Sequence, residues 1–177
     1  MKKIFILLLF FLGFGQIVVA QKFGYIDTDY ILAQMPEYKE AQAEHERLSK
    51  SWQSEIQQMY KVIDGMYSEL QAEEVLLTPE MKEERMAEIK TKEEEVKEYN
   101  NQVFGYNGLF FLKKEELMKP VLESVFEATA KVSKAHRLQF MFDKAADMVM
   151  IYTDPIHDYT DYVLEELGYG DENDTIK

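Results

Sequence analysis

The 177-residue chain contains no cysteine, so neither a disulfide framework nor thiol chemistry is open to it. Positive charge is scarce: 20 Lys and Arg stand against 33 Asp and Glu, a formal net charge of -13. Phosphate binding rests on clustered Lys and Arg, so this balance excludes nucleic acid as a partner and argues against an electrostatic hold on anionic lipid. After residue 20 no apolar run approaches the roughly 20 residues that a spanning helix needs. Catalytic signatures are missing as well. His45-Glu46 lacks the second His of a metalloprotease helix, and there is no phosphate-binding glycine loop and no nucleophile elbow. His136 near a helix end, and His157-Asp158 just before one, fit helix stabilisation and capping. Runs such as Glu93-Glu94-Glu95 read as solvated charge. The chain is expected to be a non-enzyme that takes no metal and no cofactor.

What the chain does have begins with an export signal. Lys2 and Lys3 open it, Ile4 to Phe14 form an apolar core, and Val18-Val19-Ala20 supplies small residues at a cleavage site. Residues 1–20 are read as a signal peptide cut after Ala20, which leaves a mature form with no stable membrane insertion. No Cys follows the apolar stretch, so a lipid anchor is not supported.

Most of the mature chain has helical periodicity. Leu48, Trp52, Ile56, Met59, Ile63, Met66, Leu70 and Leu77 recur at spacings of three, four and seven. Ile89, Val96, Val103, Phe110 and Leu117 recur every seven residues. Two such seams predict a pair of helices wrapped along each other. Thr78-Pro79-Glu80 supplies a cap, a first-turn proline and an acid for a new helix start. An outgoing helix is therefore predicted over 37–77 and a returning one over 79–135, with Glu88–Lys92 and Glu93–Lys97 pairs on the exposed face. The second line of the seam is weak, because Glu93, Asn100, Asn107 and Lys114 fall four residues after seam positions. A narrow apolar strip then holds arms that flex. Gly105, Gly108 and Pro120 predict a bend, a close helix crossing or a hinge. Beyond Pro120, Leu122, Val125, Phe126, Thr129 and Val132 are expected to return the chain to a packed body.

Short strand signals lie at both ends of the hairpin. Phe23 to Asp27 reads as a strand followed by a short helix, and Leu138–Phe142 and Met148–Tyr152 read as two more strands. Asp158 is placed to cap a last helix ended by Gly168. The fold class expected is α+β, mostly α: a long antiparallel coiled-coil hairpin on a small β body. The body is assigned to 21–36 and 136–168, the arm to 37–135 with its tip near 77–80, and a flexible acidic tail to 169–177. So small a body buries little surface alone. Phe23, Tyr25, Phe140, Phe142, Met148 and Met150 need cover, so a homo-oligomer is expected to complete the sheet through these residues.

In this ordered set the chain resembles the Skp/OmpH family of periplasmic chaperones. Lys22-Phe23-Gly24-Tyr25-Ile26-Asp27 through Ile31-Leu32 resembles the family's first strand and helix. Leu138 to Asp143 with Met148 to Tyr152 resembles its closing strand pair, and Asp154 to Leu167 its final helix. The resemblance implies a periplasmic homotrimer that holds unfolded outer-membrane proteins between three helical arms without ATP. One feature departs from it: Glu73 to Glu98 holds ten acidic and five basic residues where the best-known members are basic, so no lipopolysaccharide site is carried over. If clients are held, apolar and aromatic side chains must do it, and Tyr60, Tyr67, Tyr99 and Tyr106 beside Met59 and Met66 are the candidates. The alternative is a structural or adaptor coiled-coil protein of the cell envelope, which would dock its hairpin tip on one defined partner.

Overall fold

The computed structural model describes residues 21–146 and 150–170. Residues 1–20, read above as a signal peptide, Met148, and residues 171–177 of the expected tail lie outside the described residues. Strand β1 (Phe23–Ile26) leads at once into helix α1 (Thr28–Gln34), which Asp27 caps by accepting the Tyr30 N–H at 3.0 Å. Helix α2 (Pro36–Glu73) is 38 residues long and so about 57 Å from end to end. Helix α3 (Pro79–Phe104) starts as expected: Thr78 Oγ1 accepts the Met81 N–H and Pro79 occupies the first turn. Helix α4 (Leu109–His136) brings the chain back to strand β2 (Phe140–Asp143). A short 3-10 turn (Pro155–His157) precedes helix α5 (Thr160–Leu167).

β1 and β2 pair in parallel, Phe23 beside Phe140 and Tyr25 beside Phe142. Parallel neighbours need a long crossover. Here the crossover is the entire hairpin, so the arm is an insertion between two strands of one sheet. The other edge of β1 meets Asp158, and the Tyr159 N–H donates to the Tyr25 carbonyl at 2.9 Å. The body core lies on one side of this sheet, where Ile26 of β1, Ile31 and Leu32 of α1, Val125 of α4 and Val163 of α5 are buried together. Thr160 knits its parts: its hydroxyl accepts the Asp27 N–H at 3.0 Å and donates to Asp158 at 2.6 Å.

Four expectations are corrected. The strand expected at Met148–Tyr152 is not formed at residues 150–152. Ile151 and Tyr152 remain 97% and 82% exposed, and the free edge of β1 is taken by Asp158 instead. The outgoing helix ends at Glu73, short of Leu77, and the chain turns through 74–77. The returning arm is two helices, not one. Gly105 closes α3 by donating to the Asn101 carbonyl at 2.8 Å, and Asn107 adopts φ 55°. A Cβ on Gly105 would meet the Asn101 carbonyl, and one on Gly108 the Val103 carbonyl, so both positions demand glycine. α4 then runs through Pro120 without interruption. Finally, in place of Glu88–Lys92 and Glu93–Lys97, α3 carries the ion pairs Lys92–Glu95 at 2.6 Å and Arg85–Glu88 at 3.7 Å, while Glu93 accepts from Tyr67.

Candidate functional site

Alternation along the two strands places Phe23, Tyr25, Phe140 and Phe142 on one face and Gly24, Ile26 and Met141 on the other. The second face packs tightly on the body: a Cβ on Gly24 would strike the Tyr159 ring. The first face is open. Phe140 is 56% exposed, its ring stacks with Phe142 at 6.4 Å, and Phe23 is also exposed. Tyr25 is buried, sharing a pocket of about 400 Å³ with Phe142, Met150, Tyr152 and His157. The His157 ring lies 4.7 Å from Phe23. Five of the six residues named for self-association thus converge on one side of the sheet, and the sixth, Met148, lies outside the described residues.

The arms are joined by a thin seam. Ile56 and Ile63 of α2 are buried against Ile89 and Val96 of α3, with Met59, Met66 and Leu70 beside them. The four candidate tyrosines divide into two kinds. Tyr99 packs on the seam and its hydroxyl donates to Glu55 across the hairpin at 2.6 Å. That carboxylate favours the neutral phenol and pushes the Tyr99 pKa up to about 12. Tyr67 donates to Glu93 at 2.9 Å in the opposite direction, and its pKa is likewise raised by that hydrogen bond. Tyr67 and Tyr99 are cross-arm braces. Tyr60 is exposed on α2, and Tyr106, 96% exposed, stands out from the break between α3 and α4. That break is backed by rings: Phe104 and Phe110 lie 5.7 Å apart, Trp52 meets Phe104 edge-on, and the His45 Nε2–H donates to the Phe110 carbonyl at 3.0 Å.

α4 carries an apolar face that the sequence reading missed. Val121, Val125, Ala128 and Val132 enter the core. Phe111, Met118, Leu122 and Phe126, spaced seven, four and four, form a second stripe turned about a quarter of the helix circumference away. Leu122 and Phe126 were expected inside the body, yet Leu122 is exposed and Phe126 is 65% exposed. Part of this stripe walls a groove of about 700 Å³ shared with Leu32, Tyr38 and His45. The signal was available: a helix with apolar residues on two separate faces has one more than a single core can bury.

The chain from residue 22 to residue 167, which takes in both strands, the whole hairpin and α5, matches the family model for Outer membrane protein (OmpH-like). The chain belongs to the OmpH-like family. Its fold is similar to the crystal structure of an OmpH-like protein from Caulobacter crescentus CB15, described as a candidate outer membrane chaperone. The TM-score is 0.69, the identity is 14%, and the likeness covers 84% of this chain and 85% of that one. At that identity the likeness is one of fold. Among curated proteins, none matches the chain in sequence.

In this OmpH-like chain three of the five cations between Glu73 and Glu98 are held in ion pairs. Lys82, Arg85 and Lys92 are already engaged with Glu74, Glu88 and Glu95. Nearer the body, the ring of His136 lies against Tyr159 and Tyr162, at 5.1 and 4.6 Å, and Lys131 pairs with Glu166 at 3.0 Å. Among the described residues, no helix is long and apolar enough to cross a membrane.

Proposed function

We propose that this OmpH-like chain is a periplasmic holdase chaperone. After cleavage behind Ala20, copies of the chain join through the open sheet face of Phe23, Phe140 and Phe142, three by the family resemblance. Their hairpins then surround a cavity in which unfolded outer-membrane proteins are kept from aggregating without ATP and without catalysis. The observation that carries this reading is the layout of open apolar surface. It is strung along the arm at Tyr60, Tyr106, Phe111, Leu122 and Phe126, not gathered into one shaped site. An unfolded chain presents many short apolar segments, and aromatic and aliphatic side chains spread over tens of ångströms can hold these by many weak contacts. The family membership and the description of the Caulobacter relative support the same reading.

The test dilutes a denatured outer-membrane protein into the mature oligomer and follows light scattering with no nucleotide present. Wild type is expected to suppress aggregation near stoichiometric ratios. Changing Tyr60, Tyr106, Leu122 and Phe126 together to Ser is expected to raise scattering several-fold, with helicity unchanged because these side chains are exposed and oligomer mass unchanged because they lie off the sheet face. Tyr67 and Tyr99 are left intact because they brace the hairpin. Suppression that survives the four changes would remove these residues from the mechanism.

A further inference from the structure

The tip of the hairpin carries an apolar feature that neither the fold nor client holding uses. Val75 is 93% exposed and Leu76 is 81% exposed, while Leu77, the next residue, turns inward and is half-buried. The turn does not need these two side chains. It is closed by the Leu76 N–H donating to the Glu73 carbonyl at 2.8 Å, by the Thr78 cap on Met81, and by Lys82 reaching Glu74 at 3.4 Å. A polar turn would close equally well. Met81, exposed one turn into α3, extends the apolar surface. Around this knob stand Glu73, Glu74, Glu80, Glu83 and Glu84, and the nearby cations Lys82 and Arg85 are already paired with Glu74 and Glu88.

We propose that the hairpin tip is a docking knob for a folded protein bearing an apolar socket rimmed by Lys or Arg. Charge decides the occupant. The acidic collar repels an anionic bilayer surface. It also repels the tip of a sister copy, because like charges facing each other across a contact oppose it. A basic rim around an apolar socket satisfies both parts of the knob at once. Burying two aliphatic side chains alone makes a weak contact, and several arms on one oligomer would multiply it.

The experiment places a photo-crosslinking amino acid at Leu76 of the full chain in its own cells and identifies the adduct. The partner is then purified and titrated with the mature oligomer. One discrete adduct is expected, and binding is expected to weaken at least tenfold for Val75→Ser with Leu76→Ser. A similar loss is expected for Glu73→Lys with Glu83→Lys, and also as salt rises. Helicity, oligomer mass and suppression of client aggregation should stay at wild-type levels in both variants, which separates this contact from the holdase reading. Each of these results would overturn it: a ladder of unfolded clients, an adduct of two copies of this chain, co-flotation of the protein with phosphatidylethanolamine–phosphatidylglycerol vesicles, or binding indifferent to either pair of substitutions. Absence of any adduct would do the same.

Discussion

Tyr99 and Tyr106 sit seven residues apart and look alike in the sequence, yet one is a brace and the other is free. The difference is the carboxylate opposite, Glu55, which comes from 44 residues away along the chain. Its hydrogen bond raises the Tyr99 pKa to about 12 in the folded state, against an unfolded value near 10. A raised pKa means the folded state holds its proton more tightly. The stabilisation is therefore complete below about pH 10 and is lost as pH climbs through about 12. Tyr99→Phe is expected to lower the melting temperature by a constant, small amount from pH 7 to pH 9. The gap between variant and wild type should close by pH 12. The site is partly exposed, so the effect is expected below about 1 kcal/mol. A gap that persists at pH 12 would mean that Tyr99 acts through packing alone.

The hairpin and the body are separate cores. Ile56, Ile63, Ile89 and Val96 form one buried cluster in the arm, and a different cluster centred on Ile31, Val125 and Val163 forms the body. Loss of a seam side chain should therefore loosen the arm locally. Ile89→Ala is expected to cost about 2–5 kcal/mol at its site. Hydrogen exchange should speed up across distal α2 and α3 while α1, lower α4 and α5 keep wild-type protection. Uniform acceleration through both clusters would show a single cooperative unit. The α3–α4 break also belongs to this scale. Gly105 and Gly108 were visible as breakers, and the sequence favoured a bend or a close helix crossing over a hinge without placing the helix ends. The helix stops there because each glycine must pass a carbonyl closely, Asn101 for the first and Val103 for the second, and the link between the two helices holds Asn107 at positive φ.

As a whole molecule the chain presents a parallel sheet with one face on its core and the other bearing Phe23, Phe140 and Phe142. In the proposed function this contiguous aromatic face is where copies of the chain join, as exposed apolar patches of this kind often do. Phe23→Asp combined with Phe140→Asp is expected to shift the mature protein from oligomer to monomer at micromolar concentration, as read by sedimentation. Both side chains are already exposed, so helicity should be retained. An unchanged oligomer mass would place the association surface elsewhere, with the α4 stripe the next surface to test.

The helical periodicity, the Thr78 cap, the Gly168 stop and the seam were legible because each is a local pattern; Asp158, read as the cap of the last helix, instead lies one residue before its N-cap Tyr159, which makes no side-chain cap hydrogen bond. Seven-residue recurrence, Thr78-Pro79 and Gly168 act over one or two turns and are met in the structure as read. The aromatic residues of the sheet were also legible as a set, since alternation assigns each to a face. What only the tertiary structure decided is non-local. It joined β1 to β2 across 113 intervening residues (positions 27–139), gave the far edge of β1 to Asp158 in place of the expected third strand, and paired Tyr67 and Tyr99 with carboxylates on the opposite arm. It also left Phe126 and Leu122 outside the core, because a helix can turn only one face inward and Val121, Val125 and Val132 already occupied it. Periodicity states which residues share a face; which face is buried depends on what the rest of the chain brings against it.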